Sequence, residues 1–171
     1  MINILPYEEA RQIIKTGWLA QFRGRGWVAS IIQRATGGLH SHSGIVQRNN
    51  GTVDLLEVRE FKGGRRVPLK GQAENNIIDI FSVRDDIFPI DIAKTIESMR
   101  EMTGKNYGYL GVTRLVLQRI PLLWRLWPLD VDDGDEMPSA PFCSHAVCAA
   151  YRMGGVDPVP YKKDCCVTPR D

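Results

Sequence analysis

The sequence predicts an α+β fold, a small antiparallel sheet of about four to six strands packed against helices. The whole chain, residues 1–171, is expected to form one domain. Three observations carry this. Two β-prone runs, residues 41–48 and 52–58, flank Asn49-Asn50-Gly51, and Asn-Gly between such runs is a strong hairpin signal. After Pro89 the apolar spacing changes to a helical period, with Ile92, Ile96 and Met99 on one stripe. A small apolar run beginning at Phe142, preceded by Pro141 and stopped by Gly154-Gly155, reads as a short buried helix with a left-handed glycine at its end.

In chain order, residues 7–15 are predicted as a helix ending at Gly17, with Glu8 and Glu9 early and Lys15 late, as the helix dipole prefers. A strand over 18–22 leads to Arg23-Gly24-Arg25-Gly26, whose lone Gly-x-Gly lacks the strand-to-helix context of a phosphate loop. Val28, Ile31, Ile32 and Ala35 mark a helix over 27–36, closed by Gly37-Gly38. Beyond the hairpin, Gly63-Gly64 is predicted to turn the chain into strands at 67–69 and 77–83, giving an antiparallel meander. A helix follows from near Asp91 to Gly104, then Tyr107-Gly108-Tyr109 in a loop, and a helix over 112–120 ended by Pro121. Residues 122–129, with Trp124 and Trp127, read as a packed lid or core edge, with interfacial contact through 115–129 as the alternative. The acidic stretch 130–136 reads as a solvated loop, because Gly134 is misplaced for a calcium loop and the closing Glu is missing.

Composition excludes several classes. A chain of 171 residues with 43% hydrophobic and 25% charged residues suits a soluble globular protein with its own core. The net charge of +2, with Lys and Arg scattered, gives no argument for nucleic acid. The N-terminus lacks the pattern of a signal peptide, and no stretch has the roughly 20 unbroken apolar residues of a spanning helix. A cytoplasmic location as encoded is expected, with delivery by a phage or another non-classical route as the exception. Cys165 and Cys166 are adjacent and Cys148 shares the Cys143 helix, which suits reduced thiols rather than a disulfide framework. No cysteine or histidine spacing suggests zinc, and no cofactor is called for.

Chemistry concentrates at Cys143. A thiol at a helix start meets the positive end of the dipole, which favours the nucleophilic thiolate. A cysteine alone is as readily a small core hydrophobe, so a base is required. His145 lies roughly 200° around the helix from Cys143 and points away. His40 and His42 are at strand spacing, and His42 has Gly44 on its own face, leaving room for an approaching group. Glu57 lies on the partner strand, sharing a face with Val53 and Leu55. A carboxylate there either orients the imidazole or is a cross-strand surface partner.

These residues carry a resemblance. Thr36-Gly37-Gly38 with Ser41-His42-Ser43-Gly44-Ile45-Val46 resembles the histidine segment of circularly permuted papain-like hydrolases. This is the permuted branch of the NlpC-type superfamily, which includes YiiX-like proteins and the lecithin:retinol acyltransferase group. Leu56-Glu57-Val58, the strand ending at Arg84, Gly104-Lys105-Asn106-Tyr107-Gly108-Tyr109, Phe142-Cys143-Ser144-His145 and the closing Thr168-Pro169-Arg170-Asp171 are similar to further motifs, in the right order. The resemblance implies Cys143 as nucleophile, His42 as base, Glu57 as third member, and Tyr107, Tyr109 and Trp18 as substrate-binding residues. Two departures stand out. Gly17-Trp18 replaces the Gly-Asp of many members, and His145 stands where many have Glu.

The expected function is thus a thiol hydrolase cleaving an amide or ester through an acyl-enzyme, foremost a cell-wall peptide amidase or peptidase. The alternatives are a lipid esterase or acyltransferase of the same fold, and a non-catalytic phage or virion binding module with a vestigial site. The expected partner is a peptide or acyl-lipid substrate.

Overall fold

The computed structural model describes residues 4–84, 86–117 and 137–171. One five-stranded antiparallel sheet organises them: β1 (Leu19–Arg23), β2 (His42–Asn49), β3 (Thr52–Arg59), β4 (Gly63–Pro68) and β5 (Ile77–Phe81), in the spatial order β4-β3-β2-β1-β5. The helices are α1 (Tyr7–Ile13), α2 (Trp27–Thr36), α3 (Leu69–Ala73), α4 (Ile92–Glu101), α5 (Tyr109–Leu117) and α6 (Cys143–Met153). A short 3₁₀ turn, Asp164–Cys166, precedes the C-terminus.

The Asn50-Gly51 hairpin fixes the register at the centre of the sheet. Both residues take positive φ, and the pairing that follows sets Gly44 opposite Glu57 and Ile45 opposite Leu56. Alternation then divides the side chains. Ile45, Leu56 and Val58 pack against α4 and α6 with Ile96, Met99, Ala146 and Ala150. Ala20, Phe22, Val46, Val53 and Leu55 face the other way, covered by Ile14 and Leu69. α4 starts where predicted, with the Asp91 carboxylate accepting from Lys94 N–H at 3.0 Å.

Several expectations are corrected. The sheet is not a simple meander, because β5 pairs with β1 at the edge opposite β4. Gly63-Gly64 is not the turn: the chain reverses at residues 60–62, and both glycines open β4. Gly64 is required there because a Cβ would collide with the Met102 carbonyl. Leu69 does not extend a strand but begins α3, straight after Pro68. α1 stops at Ile13 rather than Lys15, and α5 begins at Tyr109 rather than Val112. The end of α6 is as expected: of the glycine pair, Gly155 is left-handed and Gly154 stays right-handed at φ −76°. The predicted helical residues 118–120, the segment 122–129 and the acidic loop 130–136 lie outside the described residues. Among the described residues no helix is long and apolar enough to cross a membrane.

Candidate active site

Cys143 is the first residue of α6, capped by the extended Phe142, with no side chain bonded to the helix start. Its N–H therefore has no intrahelical acceptor and points out of the helix along the dipole. α6 is held in place at its first turn. Ser144 donates its hydroxyl to the Val167 carbonyl at 2.7 Å, and Thr168 is bonded through N–H and hydroxyl to Asp171, each at 2.8 Å. The C-terminal Thr-Pro-x-Asp turn is thereby locked beside the thiol.

β2 delivers His42 to the same place. Its Nε2 lies 2.6 Å from Glu57 Oε2, both side chains being essentially buried. The Phe22 ring meets the imidazole edge-on at 5.2 Å, fixing the ring plane. Gly44 permits this arrangement: a Cβ there would press on Leu55, the Leu56 carbonyl and the Glu57 side chain. His42 Nδ1 is buried and has no hydrogen-bond partner in the resting structure. Cys143 nonetheless lies close enough to interact with this imidazole. A long, unformed bond is common for catalytic pairs without substrate.

Electrostatics link the three residues. Burial disfavours the imidazolium, but the neighbouring Cys143 and the hydrogen-bonded Glu57 carboxylate outweigh it and raise the His42 pKa to about 9. Burial likewise disfavours the Glu57 carboxylate, yet the bond to His42 and the charges of His42, Arg59 and Arg65 hold its pKa at about 2. Arg65 and Arg59 are the residues that sequence reasoning missed. Arg65 stands opposite Glu57 across the β3–β4 pairing and donates Nε and Nη2 to Oε1 at 2.8 and 2.6 Å. Arg59 approaches Oε2 at 3.6 Å. Each Glu57 oxygen thus has a cationic partner, and the carboxylate orients the imidazole rather than serving as a surface partner. Placing the β3–β4 turn correctly in the sequence is the signal that would have revealed Arg65.

The other predicted residues separate. His40 precedes β2 and turns to Asp79 on β5 at 2.6 Å, where Arg23 also binds, so the two neighbouring histidines serve different carboxylates. His145 lies beside the Phe142 ring at 5.5 Å. Tyr107 is buried next to Cys143, and burial together with the thiol's charge raises its pKa, keeping the hydroxyl protonated. Tyr109 sits one step out, its ring 5.0 Å from Tyr107 and its hydroxyl accepting the Phe61 N–H at 2.7 Å. Trp18 packs with the core under α1, away from the cavity at Cys143.

That cavity, about 420 Å³ and open to solvent, has Cys143 in its wall. Ile32 and Ala35 of α2, Val112 of α5, and Phe142 and Pro169 supply most of its described surface, and among the described residues no charged side chain lines it. The serine and threonine hydroxyls present are engaged elsewhere. Ser144 and Thr168 are bonded as above, Ser41 donates to the Phe22 carbonyl and Thr36 to the Gln33 carbonyl, both at 3.5 Å.

No protein-family model and no curated protein matches the chain. Among solved structures it is similar to the metalloprotein YiiX from Escherichia coli O157:H7, with a TM-score of 0.57 and 18% identity over 84% of this chain and 68% of that one. The likeness is one of fold: an α+β chain with one five-stranded antiparallel sheet packed against helices, as in YiiX.

Proposed function

We propose that this protein is a thiol hydrolase of the permuted papain-like kind, cleaving an ester or amide whose acyl part is apolar. One observation carries the reading: a buried imidazole with Nε2 tied to a carboxylate and Nδ1 free, beside a cysteine at a helix N-terminus. His42 Nδ1 holds the proton that came from Cys143, as its raised pKa favours, and the sulfur attacks the substrate carbonyl. The Cys143 N–H, directed along the helix dipole, stabilises the oxyanion, and the protonated Tyr107 hydroxyl is placed to add a second donor. The imidazolium, held by Glu57, passes its proton to the leaving group, and water then attacks the acyl-enzyme with His42 as base.

The cavity supports the apolar acyl group over a muropeptide. A peptide stem carries charges and amides that need partners, and a lining with no charged side chain among the described residues leaves its charges unpaired. YiiX is described as a metalloprotein. The residues here do not fit a metal: both Glu57 oxygens are engaged by His42 and Arg65, and two guanidinium groups repel a cation. Among the described residues no group of three or more His, Cys, Asp or Glu is arranged to hold one. No step is therefore routed through a metal.

The test is iodoacetamide labelling at pH 6 with the modified cysteine mapped by mass spectrometry, followed by turnover of short- and long-chain esters against muropeptides. Selective, His42-dependent labelling of Cys143 and ester turnover abolished by Cys143→Ala are expected. Labelling no faster at Cys143 than at Cys165 or Cys166, or turnover that survives Cys143→Ala, refutes the reading.

A further inference from the structure

α2 has an unusual surface for a helix on the outside of a fold. Thr36 is its one fully buried residue. One face, carrying Ile32 and Ala35, walls the cavity beside Cys143. The other face is apolar too. Trp27 and Ile31, one turn apart, are 73% and 46% exposed, and Leu39 just beyond the helix is 67% exposed. Large apolar side chains beside Arg34 on an exposed helix face are an interfacial pattern. α5, which packs beside α2, adds Leu110 at 74% exposure.

Among the described residues of α2, the turns that flank it and α5, the charged residues are all basic. From residue 10 to residue 53 the chain contains no Asp or Glu, while it contains Arg23, Arg25 and Arg34 around α2. α5 contains no acidic residue either. Arg25 and Arg34 are exposed, one before the helix and one on the same face as Trp27 and Ile31. The Asp79 carboxylate behind them is already taken by Arg23 and His40.

We infer that α2 with the start of α5 is a docking surface for an anionic lipid membrane. This inference rests on the apolar-acyl reading above. Trp27, Ile31, Leu39 and Leu110 would sit at the headgroup boundary, with Arg25 and Arg34 against the anionic phosphates, an interfacial pattern of apolar anchors with cations beside them. Continuity with the cavity supports a lipid occupant rather than a protein one. The same helix that meets the membrane forms part of the cavity wall, which puts the docking face one helix width from the pocket at Cys143.

The experiment is vesicle flotation of the full chain carrying Cys143→Ala, so that no lipid is consumed. Phosphatidylcholine vesicles are compared with vesicles that also contain phosphatidylserine. Binding to the anionic vesicles is expected, weakened by salt and at least tenfold weaker in both Trp27→Ser/Ile31→Ser and Arg25→Glu/Arg34→Glu. The same pairs of changes in the otherwise unaltered chain are expected to leave turnover of a short, soluble ester unchanged. No flotation, or flotation that both pairs leave intact, overturns the inference. So does a dimer, or binding to duplex DNA, that depends on these residues in place of vesicle binding. Because flotation needs no turnover, failure of the membrane contact and failure of the hydrolase reading are told apart.

Discussion

Glu57→Gln isolates the contribution of one charge to the site. In the intact protein His42 titrates near 9 instead of its ordinary 6.5, a net preference for the imidazolium of about 3 kcal/mol. Burial works against that preference, so Cys143 and Glu57 together supply more than the net. The amide keeps the shape and a hydrogen-bond acceptor for His42 but removes the charge. A charge-assisted hydrogen bond contributes ~1.5–3 kcal/mol against ~1 for a neutral one. The loss is then about 1–2 kcal/mol, and the His42 midpoint falls by about one unit. Histidine-selective NMR reads this directly, since the chain has only three histidines. Stability carries the same sign. A raised pKa gives stability that is complete below about pH 6.5 and lost as pH rises through about 9, so the variant loses it earlier on the alkaline side. A His42 midpoint that stays near 9 in the variant, or one already at 6.5 in the parent, refutes the coupling described here.

Three further outcomes follow from the structure. Arg65→Met leaves Glu57 Oε1 without its guanidinium, while Oε2 keeps His42 at 2.6 Å and Arg59 at 3.6 Å; a loss of about 3 kcal/mol and a Tm lower by roughly 6–12 °C at pH 7 are expected by calorimetry. The lowered Glu57 pKa stabilises the fold above about pH 4.5 and ceases to do so as pH falls toward 2, so the acid unfolding midpoint of this variant also moves to higher pH. Gly64→Ala drives a methyl into the Met102 carbonyl and is expected to cost about 3 kcal/mol, measured by urea unfolding; a change within experimental error contradicts the close approach of β4 to the end of α4. Ala35→Phe fills the cavity from the α2 side and is expected to lower the ratio of long- to short-chain ester turnover at least tenfold; an unchanged ratio removes the cavity from the acyl path.

The placing of Cys143 at a helix start and of Glu57 on the strand paired with His42 was legible in the sequence because each depends on short-range rules, whereas their joint roles as nucleophile, base and third member came from the resemblance. A proline, a small apolar run and a glycine pair define α6 and place Cys143 at its start. Asn50-Gly51 fixes a two-residue turn, and a turn of known length sets which residues face each other, so Glu57 came to the right strand and face without tertiary information. The stripe Val28, Ile31, Ile32 and Ala35 of α2 was likewise visible, although the exposure of Trp27 and Ile31 was not. What the tertiary structure alone decided lies across longer separations. The Arg65 contact depends on a β3–β4 turn whose residues carry no strong turn signal, and one of them, Phe61, takes positive φ without being glycine. β5 joins the far edge beside β1, a choice of strand order that periodicity does not encode, and it is this choice that draws His40 to Asp79 and leaves His42 alone with Glu57. The cavity arises where α2, α5, α6 and the C-terminal turn meet, four segments far apart in the chain. Turn chemistry and side-chain period act over a few residues, so they fix what each element is; the packing of distant elements is a global free-energy minimum, so it fixes what surrounds the thiol.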